Sequence, residues 1–557
     1  MTTAERTLST TSLWSRLYGF GSVFAKTVRD SRRAAIIAGA LLAAVFLGIS
    51  RAIVTEFDTP ESRAEIDALV AAVPPILQGL AGKVVNVGTL GGYLQYKYGT
   101  FFPLVLSLWS ILALSGTLAG EAARGSLEFV VATGRSRRRV ALEKLSGHVL
   151  MLSLAIFVAF LSITYAGFAY PVLPGDEISV LQAFGYSIWM GLIVLAGGAL
   201  AFALAPFVGR GAAAGIAGFV TFAGFILNGY QQPVPDLAPF ANLTWWGWTQ
   251  NHVALGGGFD WPSVVLVAVV TVILLGIGVE AFARRDIGVT SSVPVPSMPR
   301  SLLGLSGPVP RAISLNLGSA LAWGLGVGFF GLVMGATAGG FMEALRNSPQ
   351  FLELLSTAFP NVDYASPSGF LQLLFVEFGV ILTGLAAATF VGGWASDETS
   401  GRLEMLLAAP LARVRWAVAG GIGMLVNVAV FGGLTAAGIA IGVGSIGGDV
   451  AGPVVGVLVL GLYAAALAGV GLAVGGLFGT RFAAPVVVVF VVVTWFVQLL
   501  GPLLNLPDVI RQLALTSHYG QPMVGVWDPV GIVASVVLAI GGIGVGAVAL
   551  ARRDLRS

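Results

Sequence analysis

The chain has 557 residues, 56% of them hydrophobic and only 10% charged, with a formal net charge of +3 and a mean hydropathy of +0.89. A water-soluble chain carries about 25% charged residues, so most of this surface does not meet water and a soluble globular enzyme is excluded. Cysteine is absent and the three histidines (His148, His252, His518) stand far apart, which excludes disulfides, thiolate metal sites and any metal-ligand spacing.

Residues 1–33 are polar and basic, and the first apolar run after them is long enough to cross a bilayer. A cleavable leader has a shorter apolar core, so the N-terminus is expected to stay in the cytoplasm. Runs of about twenty apolar residues between polar breaks predict six spans in the first half, at 34–53, 99–119, 146–170, 181–208, 211–229 and 262–283. Six more are predicted at 315–337, 371–394, 417–443, 453–478, 483–503 and 529–550. The run 483–503 is rich in valine, but a lone strand leaves its backbone unsatisfied in lipid, so it reads as helix. The fold class is therefore an all-α polytopic membrane protein with about twelve transmembrane helices. Its parts are a leading segment 1–33, a first half 34–283, a Pro- and Ser-rich linker 284–314 and a second half 315–557.

Of the 30 lysines and arginines, all but Arg51, Arg63, Lys83, Lys97, Arg346 and Arg511 fall on one side of this map. The positive-inside rule makes that side cytoplasmic and places both termini there. The richness in Ala, Gly and Val, with Arg far outnumbering Lys, points to a bacterial plasma membrane. Nothing in this placement directs the chain to nucleic acid.

Four anchors recur in order. Gly92-Tyr-Leu-Gln95 matches Gly369-Phe-Leu-Gln372, and Glu121-x-x-x-Gly125-x-Leu127-Glu128 matches Asp397-x-x-x-Gly401-x-Leu403-Glu404. Pro235-Asp236 matches Pro507-Asp508, and Ala283-Arg-Arg-Asp286 matches Ala551-Arg-Arg-Asp554. An even number of spans per half gives both halves one orientation, so the repeat is parallel, about an axis along the membrane normal.

Both loops after the second span of a half carry acids, a glycine, a Leu-Glu pair and an arginine corner: Glu121, Arg124, Gly125, Leu127, Glu128 and Arg137 in the first, Asp397, Glu398, Gly401, Leu403, Glu404 and Arg413 in the second. Glu128-Phe-Val-Val and Glu404-Met-Leu-Leu read as short amphipathic helices at the membrane surface. The positive-inside rule alone accounts for the arginines. It does not account for acids, Gly and Leu-Glu at one spacing in both halves.

This pattern resembles the permeases of the second type of ATP-binding-cassette exporter, over nearly the whole chain as two fused copies. Among relatives it is most similar to the actinobacterial antibiotic and multidrug exporters that include the tetronasin-type permeases. The resemblance implies that these twelve residues form two coupling helices, each docking on a copy of a separate ATPase. ATP and Mg would lie on that partner, and a hydrophobic small molecule would be the cargo. It implies that Lys26, Arg29, Asp30, Arg32 and Arg33 begin an amphipathic leading helix, and that the Pro-Asp pairs open external re-entrant regions. The counterpart of the leading helix, 301–314, is weakly charged, and its helix is not expected to be well formed. Lys144 and Thr133-Gly134 of the first half are replaced by Gly420 and Ala409-Pro410 in the second.

The chain carries no G-x-x-x-x-G-K-[ST] loop, and no loop on the basic side is long enough for a nucleotide-binding domain. It is expected to have no catalytic residues and no cofactor of its own. Glu377 lies in an apolar run, where a carboxylate costs about 2.5–3.5 kcal/mol and should face the bundle interior or water. Glu377, Phe101 and Trp109 are the candidate substrate pathway; a protonated Glu377 bonded to a neighbouring helix is the plainer reading. The alternative function is a proton-coupled carrier using Glu377. Glu280, four residues before Arg284, reads as half of a helix-end pair. Outer segments 56–82 and 341–357 carry apolar residues at helical spacing and are expected to cap the external mouth. Pro235, Asp236, Trp245, Trp246, Pro507 and Asp508 are the candidate external gate, although tryptophan before a span is ordinarily an interface residue.

Overall fold

A computed structural model describes residues 22–72, 77–118, 136–232, 234–284, 304, 306–346, 366–500 and 506–553. Ten helices among them are long and apolar enough to cross a membrane. They carry large apolar side chains on open faces, such as Ile37 (66% exposed), Val272 (68%) and Ile540 (65%), as lipid-facing helices do and water-facing ones do not.

The first half contains α1 (Val23–Glu56), α2 (Pro60–Ala72), α3 (Leu90–Leu94), α4 (Phe101–Thr117), α5 (Arg137–Ala169), α6 (Val180–Tyr230) and α7 (Trp261–Ala283). The second contains α8 (Pro308–Arg346), α9 (Pro367–Thr399), α10 (Arg402–Leu407), α11 (Arg413–Ser445), α12 (Ala451–Phe478), α13 (Thr480–Leu500) and α14 (Pro529–Arg552). A π turn at Gln95–Gly99 extends α3 toward α4, and the two meet at 46° as a broken span. A straight helix of 51 residues would run about 77 Å, more than twice the hydrocarbon thickness. α6 avoids this by breaking at Gly209 (φ 81°, ψ 168°), a conformation reserved for glycine. Gly479 (φ 115°) does the same between α12 and α13. Each is followed within two residues by an arginine, Arg210 and Arg481. With α6 divided and the broken span counted once, the described helices make the twelve expected crossings.

Two compact units divide the chain. One comprises Met1–Val70, Ala81–Asn228 and Ala238–Val293; the other comprises Ala71–Leu80, Gly229–Leu237 and Pro294–Ser557. The main division falls inside the linker, but two short pieces of the first half cluster with the second unit. The packing of those pieces explains it: a side chain on Gly229 would collide with the Gly79 carbonyl, and the Tyr230 hydroxyl donates to Met334 Sδ at 3.3 Å.

Within the second unit, α12 and α14 cross through glycine. A Cβ on Gly546 would lie 2.5 Å from the Leu472 carbonyl oxygen, and Gly542 and Gly476 are equally closed in by backbone. Helices in lipid associate by such close approach, having no solvent to drive them together. Gly546→Ala is expected to destabilise the unit by about 1–3 kcal/mol through overpacking. A fall in detergent melting temperature would register it; Gly541→Ala, where a Cβ meets open space, should change nothing.

The weakly charged leading segment of the second half does form a helix from Pro308 onward, against expectation. Its arginine is held by a carboxylate of another helix, so it does not need a row of charges. Of the expected outer segments, 60–72 forms α2, where Ile66 and Val70 pack on Val87 and Tyr96; 341–346 continues α8, and 347–357 lies outside the described residues.

Candidate functional site

The last turn of α9 carries Asp397 and Glu398. Acids at a helix C-terminus meet the negative end of the helix dipole, so each requires a cation from elsewhere. Asp397, 1% exposed, takes both arms of Arg311 at the start of α8, at 2.7 and 2.9 Å. Glu398 takes Arg553 Nη2 at 2.6 Å from the end of α14 and accepts from the Thr480 hydroxyl at 2.8 Å. The Arg553 carbonyl in turn accepts from Arg413 at 2.6 Å. Trp394 and Trp416 stack nearby, with ring centres 4.9 Å apart. The ends of five long helices, α8, α9, α11, α13 and α14, are thus tied at one point.

On this base the chain reverses at Gly401 (φ 74°), a left-handed position that favours glycine. Then α10 begins. Glu404 sits in its first turn, where a negative charge is favourable. Leu403 (1% exposed) seats the helix, while Arg402, Glu404 and Met405 (71%) stand in the open. The exposed face is the one that a partner can reach. Asp397 and Glu398, placed by sequence among partner-facing residues, instead face inward and are consumed in ion pairs. The pattern of acids does not reveal this; the unfavourable position at a helix end was the available signal.

Glu121, Arg124, Gly125, Leu127 and Glu128 of the first loop lie outside the described residues. After that loop, Ser136 caps α5 and Arg137 is half-buried. Arg139 pairs with Glu143 at 2.9 Å, and Glu143 Oε2 accepts from the backbone N–H groups of Val23 and Phe24 at 3.0 and 3.3 Å. This carboxylate at the N-terminus of α1 is favoured by the helix dipole. Sequence reasoning missed it, because its partner is a bare backbone end. Glu280 pairs with Arg284 at 2.5 Å, as expected, and also with Arg138.

The recurrent Gln of the first anchor finds its reason at the opposite helix ends. Gln95 Oε1 accepts from the Leu255 N–H at 3.3 Å, and Gln372 Oε1 accepts from the Met523 N–H at 3.0 Å. Each pins a one-turn helix that closes with a left-handed glycine, Gly257 or Gly525. Asp260 and Asp528 then cap the last long helix of each half.

Trp245 and Trp246 are buried (5% and 1% exposed), and Trp246 meets Trp189 and Phe225 edge to face. Their rings therefore pack on protein instead of facing lipid, because the turn carrying them folds back onto α6. Pro235, Asp236, Pro507 and Asp508 are exposed at the starts of short helices, followed by open apolar residues such as Leu243 (75%) and Val509 (76%). Phe101 is buried, and Trp109 lies edge to face with His148, whose Nε2 is 3.0 Å from the Ser110 hydroxyl. Glu377 is exposed rather than enclosed among the helices, one of the two placements expected for it. Its backbone carbonyl accepts from Trp495.

His252 accepts from the Asp260 N–H at 3.1 Å through Nδ1 and so donates from Nε2 to the Gly185 carbonyl. Burial lowers its pKa, only partly offset by the Gly185 and Asp260 contacts. The unfolded histidine binds a proton more readily, so stability is fully present above pH 6.5 and declines as pH falls below it. The detergent melting temperature should drop between pH 7.5 and 5. His252→Asn, whose Oδ1 can replace Nδ1 as acceptor, should drop less.

Residues 305–550, which contain α10 and every member of this clamp except Arg553, match the family described as "Multidrug efflux system permease Rv1217c, C-terminal domain". Over 522 residues the chain is 28% identical to the multidrug efflux system permease protein Rv1217c of Mycobacterium tuberculosis, covering 90% of this chain and 89% of that protein. The chain is similar to a multidrug efflux permease. The alignment runs through both halves, so the first-half loop and α5 fall within the similarity.

Proposed function

We propose that this protein is the permease subunit of an exporter of hydrophobic or amphiphilic compounds, driven by a separate ATP-binding-cassette ATPase. Two ATPase copies dock on two loops, one at 120–139 and one on α10, and carry the ATP and Mg. The loops and both termini face the cytoplasm of a bacterial cell, where the arginines concentrate. The observation that carries the reading is α10 itself: a short amphipathic helix, held by Leu403 on a base of ion pairs, with Arg402, Glu404 and Met405 open to a partner. The similarity to a multidrug efflux permease supports the same reading. Closure of the ATPase pair on ATP would press on α10. Arg311–Asp397 and Glu398–Arg553 would pass that push to α8 and α14 as one body.

The test is purification of the tagged chain from its native membrane, with ATP hydrolysis measured on what accompanies it. An ATPase should co-purify, and with Glu128→Arg and Glu404→Arg together its activity should fall at least tenfold, the worth of about 1.4 kcal/mol of lost contact. A chain that purifies alone and transports on a proton gradient through Glu377 would overturn the proposal.

A further inference from the structure

A second feature of the second unit lies beside the clamp, where the end of α12 meets the arginine-bearing end of α14. An open groove of about 600 Å³ runs between them. Its walls are apolar: Leu477, Val545 and Val548 are each about half exposed (53%, 49% and 51%), and Gly544 leaves open space where a side chain would stand. Its mouth is charged. Arg552 is exposed, and Arg553 beside it directs Nη2 to Glu398. From Gly544 to Arg552 is eight residues, about 12 Å of helix, which is most of one leaflet's hydrocarbon depth of about 15 Å.

We propose that this groove binds an anionic phospholipid of the cytoplasmic leaflet, with one acyl chain along Val545 and Val548 and the phosphate at Arg552. The groove's length and apolar walls fit a chain, and the charge at its mouth fits an anionic headgroup. Basic pockets between helices on the cytoplasmic side select such headgroups. Because the phosphate takes Arg552 while Arg553 stays on Glu398, the bound lipid does not compete with the clamp beneath α10.

The experiment uses the full chain in neutral detergent, titrated with phosphatidylglycerol, phosphatidylcholine or inorganic phosphate. The readouts are melting temperature and native mass spectrometry. Phosphatidylglycerol should raise the melting temperature by several degrees and leave a retained lipid adduct; the other two should do neither. Arg552→Ala should abolish the headgroup preference. Gly544→Leu, which fills the groove without a clash, should abolish retention of the adduct while the chain stays folded. Equal stabilisation by both lipids, or a headgroup preference that survives Arg552→Ala, would overturn the proposal. An effect of inorganic phosphate equal to that of phosphatidylglycerol would show an anion site without a lipid and would overturn it too. None of these readouts involves an ATPase, so the result is independent of the transport reading.

Discussion

Asp176→Ala is expected to destabilise the first unit by about 3–5 kcal/mol, the usual cost of removing one partner from a buried ion pair. Asp176 (2% exposed at its side chain) receives Arg63 Nη2 at 3.1 Å, and Arg63 is itself only 6% exposed. The same carboxylate accepts from the N–H groups of Leu90 at 3.0 Å and Leu173 at 3.2 Å. It therefore joins α2, the start of α3 and the turn before α6. Arg63 also donates to the Phe57 carbonyl at 2.6 Å. Without Asp176 the guanidinium stays buried with its charge uncompensated, and the backbone N–H groups of Leu90, Val172 and Leu173 lose their acceptor. Limited proteolysis should cut the variant faster within 57–90 than the parent. The paired replacement Arg63→Met with Asp176→Leu should recover much of the loss, because two apolar side chains leave no charge to desolvate. If Asp176→Ala resists protease as the parent does, the ion pair does not hold these elements together.

The spans were legible because bilayer thickness turns a count of apolar residues into an element length. The gap expected between 208 and 211 coincides with the break at Gly209, because Gly and Arg together interrupt an apolar run. Side-chain direction was much less legible. Asp397, Glu398 and Glu404 look alike in the repeat, yet two are bound inward and one is open. Only the tertiary position of Arg311 and Arg553 separates them, and those residues lie 86 and 155 positions from their partners. Trp245 and Trp246 carry the composition of an interface belt, but a turn folded back on α6 buries them. The Gln95 and Gln372 anchor was visible as a repeat. Its cause, a backbone N–H some 150–160 residues away, was not.

Asp397→Ala and Glu404→Arg should fail in different ways, which separates a residue that holds the docking turn from one that meets the partner. Asp397 is 1% exposed and bidentate to Arg311, so its removal leaves a guanidinium partly enclosed against Trp394 and Trp416. The expected cost is about 3 kcal/mol, the lower end for a broken buried pair because Arg311 retains 32% exposure. The melting temperature of the isolated chain should fall, with or without an ATPase. Exchange of the charges, Arg311→Asp with Asp397→Arg, should restore part of it. Glu404 is exposed and no described residue pairs with it by a salt bridge, so Glu404→Arg should leave the melting temperature within about 0.5 kcal/mol of the parent while lowering ATPase recovery. Loss of stability in Glu404→Arg would mean that α10 is held by that residue and presents no docking face. Unchanged stability in Asp397→Ala would mean that the ion pair does not anchor the turn, and the path from α10 to α8 would have to run through Leu403 and the stacked tryptophans alone.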